Sequence, residues 1–199
     1  MRWPRVARGE PADFGVFRVR RDRVRSPGTG REHDVVVLEA PHWVNVVALT
    51  DEGRAILVRQ FRHGTRETTL EIPGGAVDPD DRSPLAAAKR ELREETGYVA
   101  RRWTKLGVVE PNPAIQTNSC WTYLAEGARP AGEADPDEGE ELEVVLVPAR
   151  RLASLARSGV IRHALVIAAF WFLEARRAAG RSSRSRSSRR RSRPARRAR

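Results

Sequence analysis

The amino-acid sequence predicts an α+β fold, and three features carry that prediction. Short strand-like runs bounded by turn residues fill much of the chain, two segments have helical spacing, and no strand–helix repeat is present. Near the N-terminus, Phe14–Arg20 and Asp34–Glu39 read as strands around the Ser26-Pro27-Gly28 turn. Val44–Thr50 and Ala55–Arg59 flank Asp51-Glu52-Gly53 and read as a hairpin. Further strands are expected at Thr69–Ile72, Leu106–Val109, Cys120–Leu124 and Glu143–Val147. The first helix is expected from Pro84 to about Glu95, with Ser83 as N-cap, Pro84 in the first turn and Gly97 as the stop. The second runs from about Val160 to Arg177, and a short helix fits Pro148–Ser158.

Composition sets the class. With 199 residues the chain is long enough for a core without covalent staples, and its single cysteine, Cys120, rules out an internal disulfide and a multi-cysteine metal site. The first residues lack a signal-peptide core, and Ala164–Leu173 is too short to span a membrane, so a soluble, cytoplasmic protein is expected. The net charge of +11 is misleading until located: 12 arginines and no acid lie from Arg176 onward, which leaves −1 for residues 1–175. Residues 181–199 contain only Arg, Ser, Ala and Pro and predict disorder, because such a segment cannot bury enough apolar area to offset its ordering entropy.

The chemistry points to the first helix. Leu85, Ala88 and Leu92 share one side, while Glu91, Glu94 and Glu95 cluster on another within one turn. Three close carboxylates repel one another, and a hard divalent cation with oxygen ligands relieves that repulsion. A solvated Glu-rich face, with Arg90 and Glu94 as an ordinary i,i+4 pair, is the bland alternative.

Gly74-Gly75, a loop, the capped helix and then Arg90-Glu91-Leu92-Arg93-Glu94-Glu95-Thr96-Gly97-Tyr98 resemble the Nudix box. The second half fits at every specified position once Tyr98 is accepted as the final apolar residue. The first half departs, because Arg82 stands where a glutamate is expected. Asp81, separated from Gly75 by five residues but from Arg90 by eight, is the acidic neighbour that stands in for it. The resemblance implies a mixed β-sheet sandwiched between helices as the core over residues 43–177. A β-rich N-terminal segment precedes it (1–42) and a basic disordered tail follows (178–199). It also implies Glu91, Glu94, Glu95 and the Gly74 carbonyl as ligands of Mg²⁺, with Mn²⁺ as the substitute, and Arg90 as the group that orients a glutamate.

Leu57-Val58-Arg59-Gln60-Phe61-Arg62-His63-Gly64 followed by Leu70-Glu71-Ile72-Pro73-Gly74-Gly75 is similar to the ADP-ribose pyrophosphatase branch. So is Pro113, sixteen residues beyond Gly97, although Pro-Asn-Pro-Ala-Ile-Gln differs from the Ser-Pro-Gly form usual there. Arg59, Arg62 and Pro113 are the substrate-binding candidates. A loop glutamate would act as general base, Glu138 first and Glu140 second, in Asp135–Glu141; a solvated acidic loop is the competing description. Members of this branch form dimers that exchange N-terminal sheets, so a homodimer is expected.

The implied reaction is Mg²⁺-dependent hydrolysis of a nucleoside diphosphate linked to another group, ADP-ribose giving AMP and ribose 5-phosphate. A second reading keeps the chemistry and changes the substrate to another nucleotide sugar, NADH or capped RNA. A third is a non-catalytic nucleotide sensor whose basic tail contacts nucleic acid. The four histidines, His33, His42, His63 and His163, show no metal-ligand spacing.

Overall fold

The computed structural model describes residues 1–136, 139 and 141–191, with 181–191 as backbone only. Six charged residues and the two valines Val19 and Val24 form β3 (Arg18–Arg25), which pairs antiparallel with β1 (Arg5–Ala7), β2 (Ala12–Asp13) and β4 (Glu32–Glu39) in a four-stranded sheet. The β3–β4 hairpin pairs Arg25 with Glu32 across the expected Ser26-Pro27-Gly28 turn. The strand expected at Phe14–Arg20 needs correction. Residues 14–17 form a turn in which Gly15 takes φ 77° and its N–H donates to the Asp13 carboxylate at 2.8 Å, so the strand begins at Arg18. The inward side of this sheet is ionic: Arg20 is buried with Asp22 at 2.9 Å and also meets Glu39.

A seven-stranded sheet contains β5 (Trp43–Thr50), β6 (Arg54–Arg62), β7 (Glu67–Glu71), β8 (Tyr98–Val99), β9 (Arg102–Val109), β10 (Cys120–Pro130) and β11 (Leu142–Pro148). Its order is β11-β6-β5-β10-β8, with β7 on β6 and β9 on β10. Strands β5 and β10 run parallel while the other pairs are antiparallel, so the sheet is mixed. The β5–β6 connection turns at Asp51-Glu52-Gly53, as the sequence predicts, with Gly53 at φ 75°.

Period-two alternation divides the core between the two faces of this sheet. Val44, Val46, Ala48, Ile56, Tyr123 and Ala125 pack with Ala87, Ala88 and Leu92 of α1 (Pro84–Thr96). Val47, Ala55, Leu57 and Leu124 face the other way. They pack with Leu152 of α2 (Leu152–Arg157), with Ile161, and with Val166, Ala169, Phe170 and Leu173 of α3 (Ala164–Arg191). The result is an α+β sandwich with helices on both sides of a mixed sheet. Helix α3 starts at Ala164 rather than Val160: residues 161–163 are not helical, His163 only accepts the first helical bond from the Ile167 N–H at 3.0 Å, and Ile161 enters the core. Its backbone continues to Arg191, into the segment whose composition predicts disorder; Leu173 is its last core residue. Among the described residues no helix is long and apolar enough to cross a membrane.

The N-terminal sheet contributes no residue to either core cluster. It is tied to the rest where the Leu38 N–H donates to the Ile115 carbonyl at 2.7 Å and the Thr117 N–H donates to the Leu38 carbonyl at 3.0 Å. The 110–119 loop, Pro113 included, is thereby fixed on β4.

Candidate active site

Helix α1 is built as its sequence directs. The Ser83 hydroxyl accepts from the Ala86 N–H at 3.2 Å, Pro84 occupies the first turn, and Gly97 ends the helix at φ 72° with its N–H on the Arg93 carbonyl. A Cβ at Gly97 would lie 2.4 Å from the Gly132 carbonyl oxygen, so glycine also admits the following loop. The helix buries Glu91 (9 % exposed) and Glu95 (4 %) beside Leu92, while Glu94 lies on the flank. Burying two carboxylates is costly unless partners are supplied, and the partners here are specific.

The first partner is the strip after β7. Carbonyls of Pro73 and Gly75 accept from the Val46 and Val44 N–H groups, which places the strip against β5. The Gly74 N–H donates to Glu95 Oε2 at 2.8 Å. Among the described residues no N–H donates to the Gly74 carbonyl. Both glycines are needed for close approach: a Cβ at Gly74 would meet the Val44 carbonyl at 2.1 Å, and one at Gly75 would meet Glu91 Oε1 at 2.5 Å.

The second partner is Arg90. Its guanidinium reaches Glu94 at 2.9 Å, Glu91 at 3.1 Å, Asp81 at 3.0 Å and Asp78 at 3.2 Å, and donates to the Ala76 carbonyl at 2.9 Å. Partial burial works against its charge, but the hydrogen bonds to Asp81 and Glu94 outweigh burial and raise its pKa further above the usual range. Burial likewise disfavours the Asp81 charge; donation from Arg90 and from the Asp78 backbone more than compensates and holds its pKa below the usual aspartate value. Asp81, the residue displaced from the sequence pattern, therefore reaches the arginine despite the longer loop.

Among the described residues no three acid, histidine or cysteine side chains converge closely enough to hold a metal ion. Glu91 and Glu94 lean toward Arg90, and Glu95 lies on the Gly74 amide. The donor chemistry nonetheless suits a hard cation, since two carboxylates already removed from water share one wall with a backbone carbonyl.

On β6, Arg59 and Arg62 are three residues apart and so point to opposite faces. Arg59 pairs with Glu143 of β11 on the exposed side. Arg62 lies in a cleft of about 330 Å³, held by Glu71 through Nε at 2.9 Å and Nη2 at 2.8 Å. Burial pushes the Glu71 carboxyl up, but donation from Arg62 and from Thr69 at 2.6 Å brings it below the usual glutamate value. Gly74 and Gly75 line the same cleft, together with Trp43, Asn45 and His163. Pro113 is exposed and does not line it.

Glu138 and Glu140 lie outside the described residues. Their flanks are placed: the Asp135 N–H donates to the Glu94 carbonyl at 2.8 Å, and Gly139 and Glu141 line a hollow with Gln60, Phe61 and His63. Cys120 is buried in β10, and burial raises its thiol to about 12, which removes it from chemistry at neutral pH.

The sequence patterns give no role to Glu71, Asn45 or His163. Glu71 was visible inside the Leu70–Gly75 motif, and Asn45 was signalled as a polar residue at an inward position of an apolar strand. His163 gave no spacing signal, since what brings it to the cleft is the course of the chain from α2 to α3.

A mixed sheet between helices, with a capped helix presenting acids to a glycine strip, defines a class of hydrolase: this chain belongs to the Nudix family, whose domain model matches residues 41–170. Within that family it is similar to ADP-ribose pyrophosphatases. The Mycobacterium tuberculosis protein is 34% identical over 77% of this chain and 74% of its own length, and the Bacillus subtilis protein 34% over 71% and 77%. A GDP-mannose pyrophosphatase of Cronobacter sakazakii is 27% identical over 82% and 89%. A solved structure described as an ADP compounds hydrolase superposes with a TM-score of 0.78 at 23% identity, over 88% of this chain and 94% of that one, a likeness of fold.

Proposed function

We propose that this enzyme hydrolyses the diphosphate of a nucleoside diphosphate linked to a sugar, with ADP-ribose cleaved to AMP and ribose 5-phosphate. The observation that carries the reading is the pair of buried carboxylates, Glu91 and Glu95, set on the Gly74-Gly75 strip with Arg90 across their flank. Glu91, Glu94, Glu95 and the Gly74 carbonyl would hold Mg²⁺, or Mn²⁺ in its place. A bound divalent ion supplies neutralisation of phosphate charge and a more acidic water.

The remaining work belongs to the chain itself. Arg90 fixes the Glu91 and Glu94 rotamers, and Arg62, oriented by Glu71, lines the cleft as a hydrogen-bond donor toward the substrate, its charge largely matched by Glu71. Water attacks one phosphorus, the bridging P–O bond breaks, and the departing phosphate takes the electron pair. A carboxylate of the 135–141 loop, Glu138 before Glu140, accepts the proton from water. The tethering of Asp135 to the end of α1 supports that assignment. Arg59 and Pro113 take peripheral places in this scheme, Arg59 as a surface ion-pair partner. We also propose a cytoplasmic homodimer: the N-terminal sheet lacks an apolar core and leaves Val6, Phe14, Val16 and Val36 exposed, which a second copy would cover.

Similarity to a GDP-mannose pyrophosphatase favours one second reading, in which another nucleoside diphosphate sugar is the substrate. The test is incubation with Mg²⁺ and a panel of ADP-ribose, NADH, several nucleoside diphosphate sugars and capped RNA, with products separated chromatographically. AMP release from ADP-ribose, lowered about 100-fold or more in Glu95→Gln, is expected. Cleavage of a different panel member would remove ADP-ribose as the substrate. No turnover by folded protein would overturn the hydrolase reading.

A further inference from the structure

The cleft walled by Gly74 and Gly75 contains polar atoms that the described protein leaves unsatisfied. Asn45, 8 % exposed in an otherwise apolar strand, buries its Nδ2 without a hydrogen-bond partner, and His163 buries Nδ1 in the same state. The hydroxyl of Thr122, the cross-strand neighbour of Asn45, has no partner either, so this corner is not satisfied from within. Each such group is expensive to bury, and two that line one cavity imply something that enters to bond them.

The chemistry of the walls restricts what enters. Asn45 Nδ2 is a donor, and His163 Nδ1 is donor or acceptor according to tautomer, a set that hydroxyl groups match because each hydroxyl both donates and accepts. Arg62 and Glu71 offset each other's charge, so this end of the cleft does not demand a second anion. Trp43 offers an apolar ring surface beside them. A cleft of about 330 Å³ is at the lower end for small-ligand sites and suits one ring rather than a whole dinucleotide. Since the carboxylates and the cleft share the glycine strip, a diphosphate at Glu91 and Glu95 can extend one substituent past Gly74-Gly75.

We propose that Asn45 and His163 form a subsite for the hydroxyl-bearing sugar ring of the substrate's non-nucleoside half, and that they determine which sugar diphosphate is accepted. The proposal rests on the hydrolase reading above only for the position of the diphosphate. Its test therefore uses binding without added metal: the full chain is titrated calorimetrically with ribose 5-phosphate and, separately, with AMP. Wild type is expected to bind ribose 5-phosphate, with His163→Phe and Asn45→Leu each weakening it about tenfold and leaving AMP affinity within about twofold. His163→Gln, which restores hydrogen-bonding capacity, is expected to recover most of the loss, and thermal melting verifies that each variant is folded.

Failure of wild type to bind ribose 5-phosphate overturns the proposal, as does unchanged binding in folded variants. Loss of AMP affinity instead would assign the cleft to the nucleoside half. If hydrolysis occurs but the variants bind ribose 5-phosphate normally, the subsite falls and the hydrolase reading stands. If no panel member is cleaved but the selective loss is seen, the hydrolase reading falls and the subsite stands.

Discussion

Arg90 holds four carboxylates at once, those of Asp78, Asp81, Glu91 and Glu94. Replacing it by Met keeps the stem and removes the charge, leaving the buried oxygens of Asp81 and Glu91 facing one another's field. We expect Arg90→Met to lower stability by about 2–3 kcal/mol in denaturant unfolding. Hydrolysis should fall about 10- to 100-fold, as for other groups that orient ligands. A variant equally active and equally stable would mean that the glutamates position themselves. Glu71 gives a second prediction with a definite sign. Its carboxyl is held below its unfolded value of about 4.3, so its contribution is present above that pH and disappears as pH falls through the folded value. Asp81 acts in the same direction from about 3.9. Melting temperature should therefore drop between about pH 5 and pH 3, and Glu71→Gln should flatten that drop. An unchanged slope in circular-dichroism melts would show that the Arg62–Glu71 pair forms equally in the unfolded chain.

At the scale of elements, α1 and the strip before it are one unit, because the glycines have no room for side chains. Gly75→Ala would place a methyl 2.5 Å from Glu91 Oε1, and the glutamate rather than the backbone is the part able to yield. The expected result is a fall in hydrolytic rate of about 100-fold with stability reduced by only about 1 kcal/mol. Equal loss of both would place the strain in the strip. This unit was also the most legible part of the sequence. Ser83, Pro84 and Gly97 fixed the ends of the helix from local chemistry alone, and the acids at positions 91, 94 and 95 follow from its period. Local pattern does not encode how the faces are used. Glu91 and Glu95 turn to the sheet while Glu94 stays on the flank, and only the path of 73–75 against β5 explains why. The front of the strand expected at Phe14–Arg20, residues 14–17, failed for the opposite reason. A left-handed glycine and its Asp13 partner formed a turn where hydrophobic alternation suggested extension. Contacts between distant segments, such as Leu38 with Ile115 and His163 with the Arg62–Glu71 cleft, had no local signature at all.

The whole molecule separates charge from chemistry. Of its +11 net charge, ten arginines lie in residues 178–199, so removing that segment leaves about +1. The acids proposed for the site lie between Glu71 and Glu140, ahead of that segment, and the last residue of α3 in the described core is Leu173. Deleting 178–199 should therefore leave melting temperature and hydrolytic rate unchanged. Binding to polyanions behaves differently, because each arginine that neutralises a phosphate releases a counterion and steepens the salt dependence. The full chain is expected to bind a single-stranded RNA at about 50 mM salt and to lose most of that affinity by about 200 mM, whereas the truncated chain should not bind at either concentration. Fluorescence anisotropy at several salt concentrations measures both the affinity and its slope. Binding that survives the deletion would relocate the contact to the neutral body, where the Arg-rich β3 strand, already matched by Asp22, Asp34 and Glu39, has little charge to spare. Loss of hydrolysis on deletion would instead make the tail part of the enzyme, and capped RNA would then be the first substrate to reconsider.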